Sequence, residues 1–257
     1  MFKKILSAAI IGAAMAGPVI AADLSFSVSG EGRDVIFVPG LGTSAEVMAE
    51  VADAVDDVRW HFLSVPGYAG HAPSETLGEE PLTVAASAVS DYIAGQDLQC
   101  PILMGHSVGA IIGVVVAAEA QQDVCGLVLM DAPPALGAVM AADASPETLE
   151  ALADSIARPL ADFSSSQFTD WASQMAESWG GQPETRSQVA AMVAGSDQAT
   201  LSDILAQADT RPRTAQLFAH IWSGLQQPTG SSWLRLRGTS RGGASRLREL
   251  RCCLGTI

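Results

Sequence analysis

A serine flanked by glycines, Gly105-His106-Ser107-Val108-Gly109, lies between a short apolar run, Pro101-Ile102-Leu103-Met104, and a longer one from Ala110 to Ala120. The first run has the length of a buried strand and the second that of a helix, so Ser107 falls on a strand-to-helix corner. Glycines on both sides let strand and helix pass closely without a Cβ between them, and a sharp turn there presents the serine hydroxyl above the sheet. A bland small-residue turn is the alternative. The strand and helix signals around the pentapeptide favour a nucleophile.

The rest of the first 134 residues repeats the same alternation. Leu24 to Val28 alternates like a surface strand, and Asp34 to Val38 is a continuous apolar strand ending at Pro39-Gly40-Leu41-Gly42. Thr43 or Ser44 can cap a helix running to about Val55, and Trp60 to Val65 reads as a strand closed by Pro66-Gly67-Tyr68-Ala69-Gly70. Leu82 to Ala94 is a periodic helix entered from Pro81, and Gly126 to Met130 is a strand ending at Asp131. Such alternation implies an α/β fold with a mainly parallel sheet and helices on both faces. In sheets of that kind the ligand site lies at the carboxyl ends of the strands, where Gly40, Ser107 and Asp131 all fall.

Beyond Pro133-Pro134 the sequence turns Ala-rich and helix-forming from Pro146 to Ala208, interrupted by Pro159, Gly180-Gly181 and Pro183. This predicts a helical insertion over the site. Phe168, Trp171, Met175 and Trp179 share one helix face by their spacing, which suits packing on the body or an apolar wall facing substrate. The chain thus divides into residues 1–22, a core at 23–134, a helical cap at 135–210, and an atypical tail at 211–257.

Residues 1–22 run from Lys3-Lys4 through an uncharged stretch to Ala21-Ala22, the order of a secretory signal peptide, so the expected location is periplasmic or secreted. A short membrane anchor is the alternative. Gly12, Gly17 and Pro18 weaken it, and no stable span is expected after cleavage. Residues 1–210 carry six Lys and Arg against 27 Asp and Glu, a balance of −21, whereas residues 211–257 carry eight Arg against Glu249 alone, a balance of +7. An acidic body excludes a nucleic-acid partner. The tail shows no sustained helix or strand period; it is either a basic segment for an anionic surface or a stretch translated out of register with the body. The second reading leaves the strand ending at Asp131 as an exposed sheet edge. Cys100 and Cys125 each open a strand, and neighbouring strands could pair them in an oxidising compartment; two buried thiols are the alternative. No metal-ligand spacing and no phosphate-cradling loop is present, so no cofactor is expected.

With these motifs the sequence resembles the α/β-hydrolase family over about residues 24 to 210. The carriers are the elbow around Ser107, the loop Val38-Pro39-Gly40-Leu41-Gly42-Thr43-Ser44, and Val65-Pro66-Gly67-Tyr68-Ala69-Gly70. In that family the first of these loops usually begins His-Gly, and here Pro39 stands in place of the His. The resemblance implies Ser107 as nucleophile, an oxyanion hole from the backbone N–H groups of Leu41 and Val108, and a small ester as substrate for a monomer. It also implies an acid after a late strand and a His near the C-terminus. Asp131 is a candidate acid or a plain strand-end carboxylate. His220, in Leu217-Phe218-Ala219-His220-Ile221-Trp222, is the only downstream His and sits where a core strand is expected.

Overall fold

The computed structural model describes residues 24–77, 80–119, 124–131, 159–178, 180–210, 233–239 and 245–255, with isolated positions between 145 and 157. Residues 1–22, His220 and Trp179 lie outside the described residues. A seven-stranded sheet runs in the order β1-β3-β2-β4-β5-β7-β6, formed by β1 (Ser25–Ser29), β2 (Arg33–Val38), β3 (Val58–Ser64), β4 (Ile102–His106), β5 (Gly126–Met130), β6 (Trp233–Thr239) and β7 (Ser245–Gly255). The pairs β2–β3, β2–β4, β4–β5 and β5–β7 are parallel, while β1 and β6 add antiparallel edges. The sheet is mainly parallel, as the alternation of apolar runs and helix-length segments predicts.

Alternate residues of the central strands feed two cores. Ile36, Val38, Leu63, Leu103, Leu127 and Leu129 face α2 (Pro81–Gly95), α3 (Val108–Glu119) and α6 (Gln198–Thr210). Val35, Phe37, Trp60, Phe62 and Met130 face the other way, where Met48 and the turn before α1 (Ala49–Ala54) cover them. Both faces of β2 are therefore buried, which is why its sequence is an unbroken apolar run. Ser44 caps a single 3₁₀ turn, Ala45–Met48, ahead of α1, accepting a bond from the Glu46 N–H.

Chain order sets the site. From β2 the chain crosses to β3 on one side and later to β4 on the other, so the carboxyl ends of β2 and β4 diverge at a topological switch point. Crevices for ligands open at such points. Val38 pairs with Gly105 there, bringing the loop after β2 beside the serine corner.

After β5 the described residues form α4 (Ser165–Ser178), α5 (Pro183–Ala194) and α6. Phe168 is 4 % exposed and stacks on Trp171, and Trp171 and Met175 pack against the main core. Three members of the predicted apolar face are thus taken up in core packing.

The tail departs from the sequence expectation. Its backbone forms β6 and β7, and residues 251–255 pair with β5 from Gly126 to Met130, so β5 is not left as an exposed edge. Backbone ladders form between any chains that can extend, whatever their side chains, so lack of an apolar period does not prevent pairing.

Cys100 and Cys125 form a disulfide with a Cα–Cα distance of 4.9 Å, tying the entry of β4 to the entry of β5. Closing a loop of 25 residues stabilises the fold by about 3 kcal/mol through the unfolded chain. Reduction should lower the thermal midpoint accordingly, and unreduced mass spectrometry should show both thiols blocked. Two alkylatable thiols in exported material would contradict the bond.

Candidate active site

Ser107 occupies the corner between β4 and α3 with φ +51, a left-handed conformation that costs a side-chain-bearing residue energy and is held by its surroundings. Two bonds hold it: the Ser107 N–H donates to the Met130 carbonyl at 2.9 Å, and the Ala110 N–H donates to the Ser107 carbonyl at 2.9 Å. The flanking glycines have steric reasons. A Cβ on Gly105 would strike Ala110 and the Gly109 carbonyl, and a Cβ on Gly109 would strike the carbonyls of Val38 and Pro39. The same crowding shows that the start of α3 lies directly against the loop leaving β2.

That loop carries the second half of the arrangement. Val108 opens α3, so its N–H has no intrahelical acceptor, and the positive end of the helix dipole lies at the serine. Leu41 sits in the loop after β2, and its peptide plane is fixed from behind. The Thr43 N–H and Thr43 Oγ1 both donate to the Gly40 carbonyl, at 3.1 and 2.9 Å, and Thr43 is 2 % exposed. The Gly40 carbonyl and the Leu41 N–H belong to one planar trans peptide and point in opposite directions. Pinning the oxygen therefore fixes the direction of the N–H. Thr43 was legible in the sequence as a helix cap, but Ser44 makes the cap and Thr43 holds the loop.

The histidines divide by environment. His61 is 3 % exposed, with Nδ1 2.8 Å from Tyr92 Oη and Nε2 2.8 Å from Asp34 Oδ1. A carboxylate can only accept, so Nε2 donates to Asp34 and Nδ1 accepts from the tyrosine hydroxyl, a neutral ring. Burial pushes the His61 pKa below its ordinary value, and Asp34 only partly opposes this. Arg59, 2.6 Å from Asp34, completes the cluster and draws the Asp34 carboxyl below the usual range. His71 is exposed in the loop after β3. His106 ends β4 with its ring against Gly40, where a Cβ would come within 2.5 Å of Nδ1. Burial lowers the His106 pKa, and the nearby Asp131 charge pulls it back up. Asp131 follows β5 at φ +46 and is exposed. The structure therefore gathers Ser107, Val108 and the Leu41 loop at the carboxyl ends of β2 and β4, with Asp131 near enough to His106 to act on its charge. Among the described residues no group of three or more His, Cys, Asp or Glu could hold a metal ion.

A serine at φ +51 on a strand-to-helix corner, at the switch point of a mainly parallel sheet, defines a class of α/β proteins built around that corner. The alpha/beta hydrolase family's sequence model matches residues 35–247, and the chain belongs to that family. It is 30 % identical over 100 residues to a candidate esterase/lipase of Mycoplasma pneumoniae, a match that spans 38 % of this chain and 37 % of that protein. The fold is similar to that of the esterase EaEST from Exiguobacterium antarcticum, with TM-score 0.59 and 18 % identity over 76 % of this chain and 72 % of that one. It is similar also to the bottromycin epimerase BotH, with TM-score 0.55 and 18 % identity over 73 % and 70 % of the two chains. An esterase and an epimerase sharing one fold show that the architecture alone does not set the chemistry.

Proposed function

We propose that this chain is an exported serine hydrolase that cleaves a carboxylic ester, with Ser107 as nucleophile and the N–H groups of Leu41 and Val108 as oxyanion hole. The observation that carries the reading is Ser107 itself, held at φ +51 where β4 meets α3 and against the loop of Leu41. Ser107 Oγ adds to the acyl carbon and passes its proton to a base. The carbonyl oxygen becomes an oxyanion in the hole, and the alcohol leaves with a proton. Water then adds to the acyl-enzyme, freeing the acid and returning the proton to Ser107. The Cys100–Cys125 disulfide supports export, since such bonds persist in oxidising compartments. The residue 1–22 pattern supports it independently.

A second reading, a small-ligand binder without catalysis, has its own observation in favour. His61 has both ring nitrogens engaged, by Asp34 and Tyr92, and His106 lies with its ring against Gly40. Out-of-register translation of residues 211–257 would remove a downstream base, and the charge reversal from −21 over residues 1–210 to +7 over residues 211–257 supports that account. Covalent capture by a fluorophosphonate separates the two readings: capture at Ser107 supports the hydrolase, and ligand binding without capture supports the binder.

The Leu41 peptide gives a second test. Thr43→Val keeps the side-chain shape and removes the hydroxyl bond to the Gly40 carbonyl, so capture of Ser107 should slow by about tenfold as the Leu41 N–H loses its fixed direction. An unchanged capture rate would remove Leu41 from the oxyanion hole.

A further inference from the structure

We propose that Ser196, in the turn between α5 and α6, is a positioning residue that holds the oxyanion loop to the cap, so that the cap fixes the geometry of the hole as well as covering it. This rests on the hydrolase reading given above. Ser196 is 8 % exposed and lies 154 residues from the loop it touches. Its Oγ accepts a bond from the Ala69 N–H at 2.8 Å and shares its single proton between the carbonyls of Gly42, at 3.2 Å, and Met192, at 3.0 Å. One hydroxyl thus bridges the loop after β2, the loop after β3 and the end of α5.

Three further contacts seat the same turn. The Asp197 N–H donates to the Gly67 carbonyl at 2.7 Å, and Asp197 Oδ1 caps α6 by accepting from the Thr200 N–H and hydroxyl, each at 2.8 Å. Ser44 Oγ reaches Met192 Sδ at 3.8 Å. Gly42 has φ +68, and a Cβ there would press on Ser196 Oγ and Leu201 Cδ2, both at 3.2 Å. The cap turn therefore rests on loop backbone, with no side chain between them.

The two ends of the Leu41 segment are held differently. Thr43 fixes the Gly40 carbonyl from within the loop, whereas the Gly42 carbonyl depends on Ser196 from the cap. Hydrolysis needs an N–H aimed at the position the oxyanion will occupy, and a donor displaced from it loses most of its effect. α4 packs on the body through Phe168 and Trp171, an apolar contact that tolerates small shifts. The Ser196 contact is directional, and a shift breaks it.

Hydrogen exchange of the full chain, read by mass spectrometry on wild type, Ser196→Ala and Ser196→Thr, tests the contact together with the rate of fluorophosphonate capture at Ser107. In Ser196→Ala, amides of residues 39–44 should exchange about tenfold faster, as loss of one buried hydrogen bond predicts, while those of β2 and β4 keep their protection. Capture should slow by about 10- to 100-fold, and Thr, which keeps the hydroxyl, should restore both. Wild-type exchange in Ser196→Ala, or capture slowed equally in Ala and Thr, would overturn the proposal. A wild-type chain that captures no probe counts against the nucleophile alone, and the exchange comparison then decides the role of Ser196.

Discussion

In a chain whose region after residue 210 is restored to the corrected frame, Ser107→Ala is expected to bring hydrolysis of short p-nitrophenyl esters down to the buffer rate while the fold and thermal midpoint stay nearly unchanged. In a complete serine triad, removing the nucleophile costs about 10⁶-fold in kcat. Alanine at φ +51 carries the same backbone strain as serine, so the substitution alters chemistry without altering the corner. Ser107→Gly makes the complementary point. Glycine adopts a left-handed backbone freely, so that variant should be equally inactive yet melt higher than wild type, showing strain kept for function. Turnover that survives in both variants would remove Ser107 from the mechanism.

The second large effect concerns the tail. Reading the coding DNA in an alternative frame from between Thr210 and Gln216 should give a β-rich apolar run, a loop with Asp, another strand, and then a His, the chain order that a serine triad requires. A protein carrying that tail should hydrolyse the same esters by several orders of magnitude faster than the present chain. Oxyanion hole and binding alone retain only about 10³–10⁴ over water when a triad member is missing. The restored protein should also be more soluble. Residues 211–257 carry eight Arg against one Glu, a composition poorly suited to a covered strand. The chain with its present tail should aggregate and be cleaved by proteases more readily. If neither alternative frame encodes such a pattern, or the present chain is a stable enzyme of ordinary turnover, the tail is native and Asp131 with His106 must be tested as the proton-handling pair.

What the sequence discloses and what it hides follow from the range of the forces involved. The Ser107 corner was legible because the need for Gly105 and Gly109 is local: each would collide with backbone within a few residues or on the paired strand. The buried strands from β2 through β5 were legible because being covered on both faces leaves mainly apolar runs, broken in β3 only by Arg59 and His61. Ser196 carried no such signal. Its partners, Gly42 and Ala69, are 154 and 127 residues away, and a lone serine after a glycine reads as a helix end. The pairing of β7 with β5 was hidden for the opposite reason, since a backbone ladder leaves no side-chain period to read. His61 was recognised as lying inside a strand, but its bonds to Asp34 and Tyr92 join three separate elements that only the fold brings together.

The most direct test of the central claim is prolonged incubation of the full chain with a fluorophosphonate, followed by intact-mass measurement and peptide mapping. The expected result is a single adduct on Ser107 that is absent in Ser107→Ala. An adduct on another residue, or no adduct in a folded chain with the Cys100–Cys125 bond intact, would contradict it.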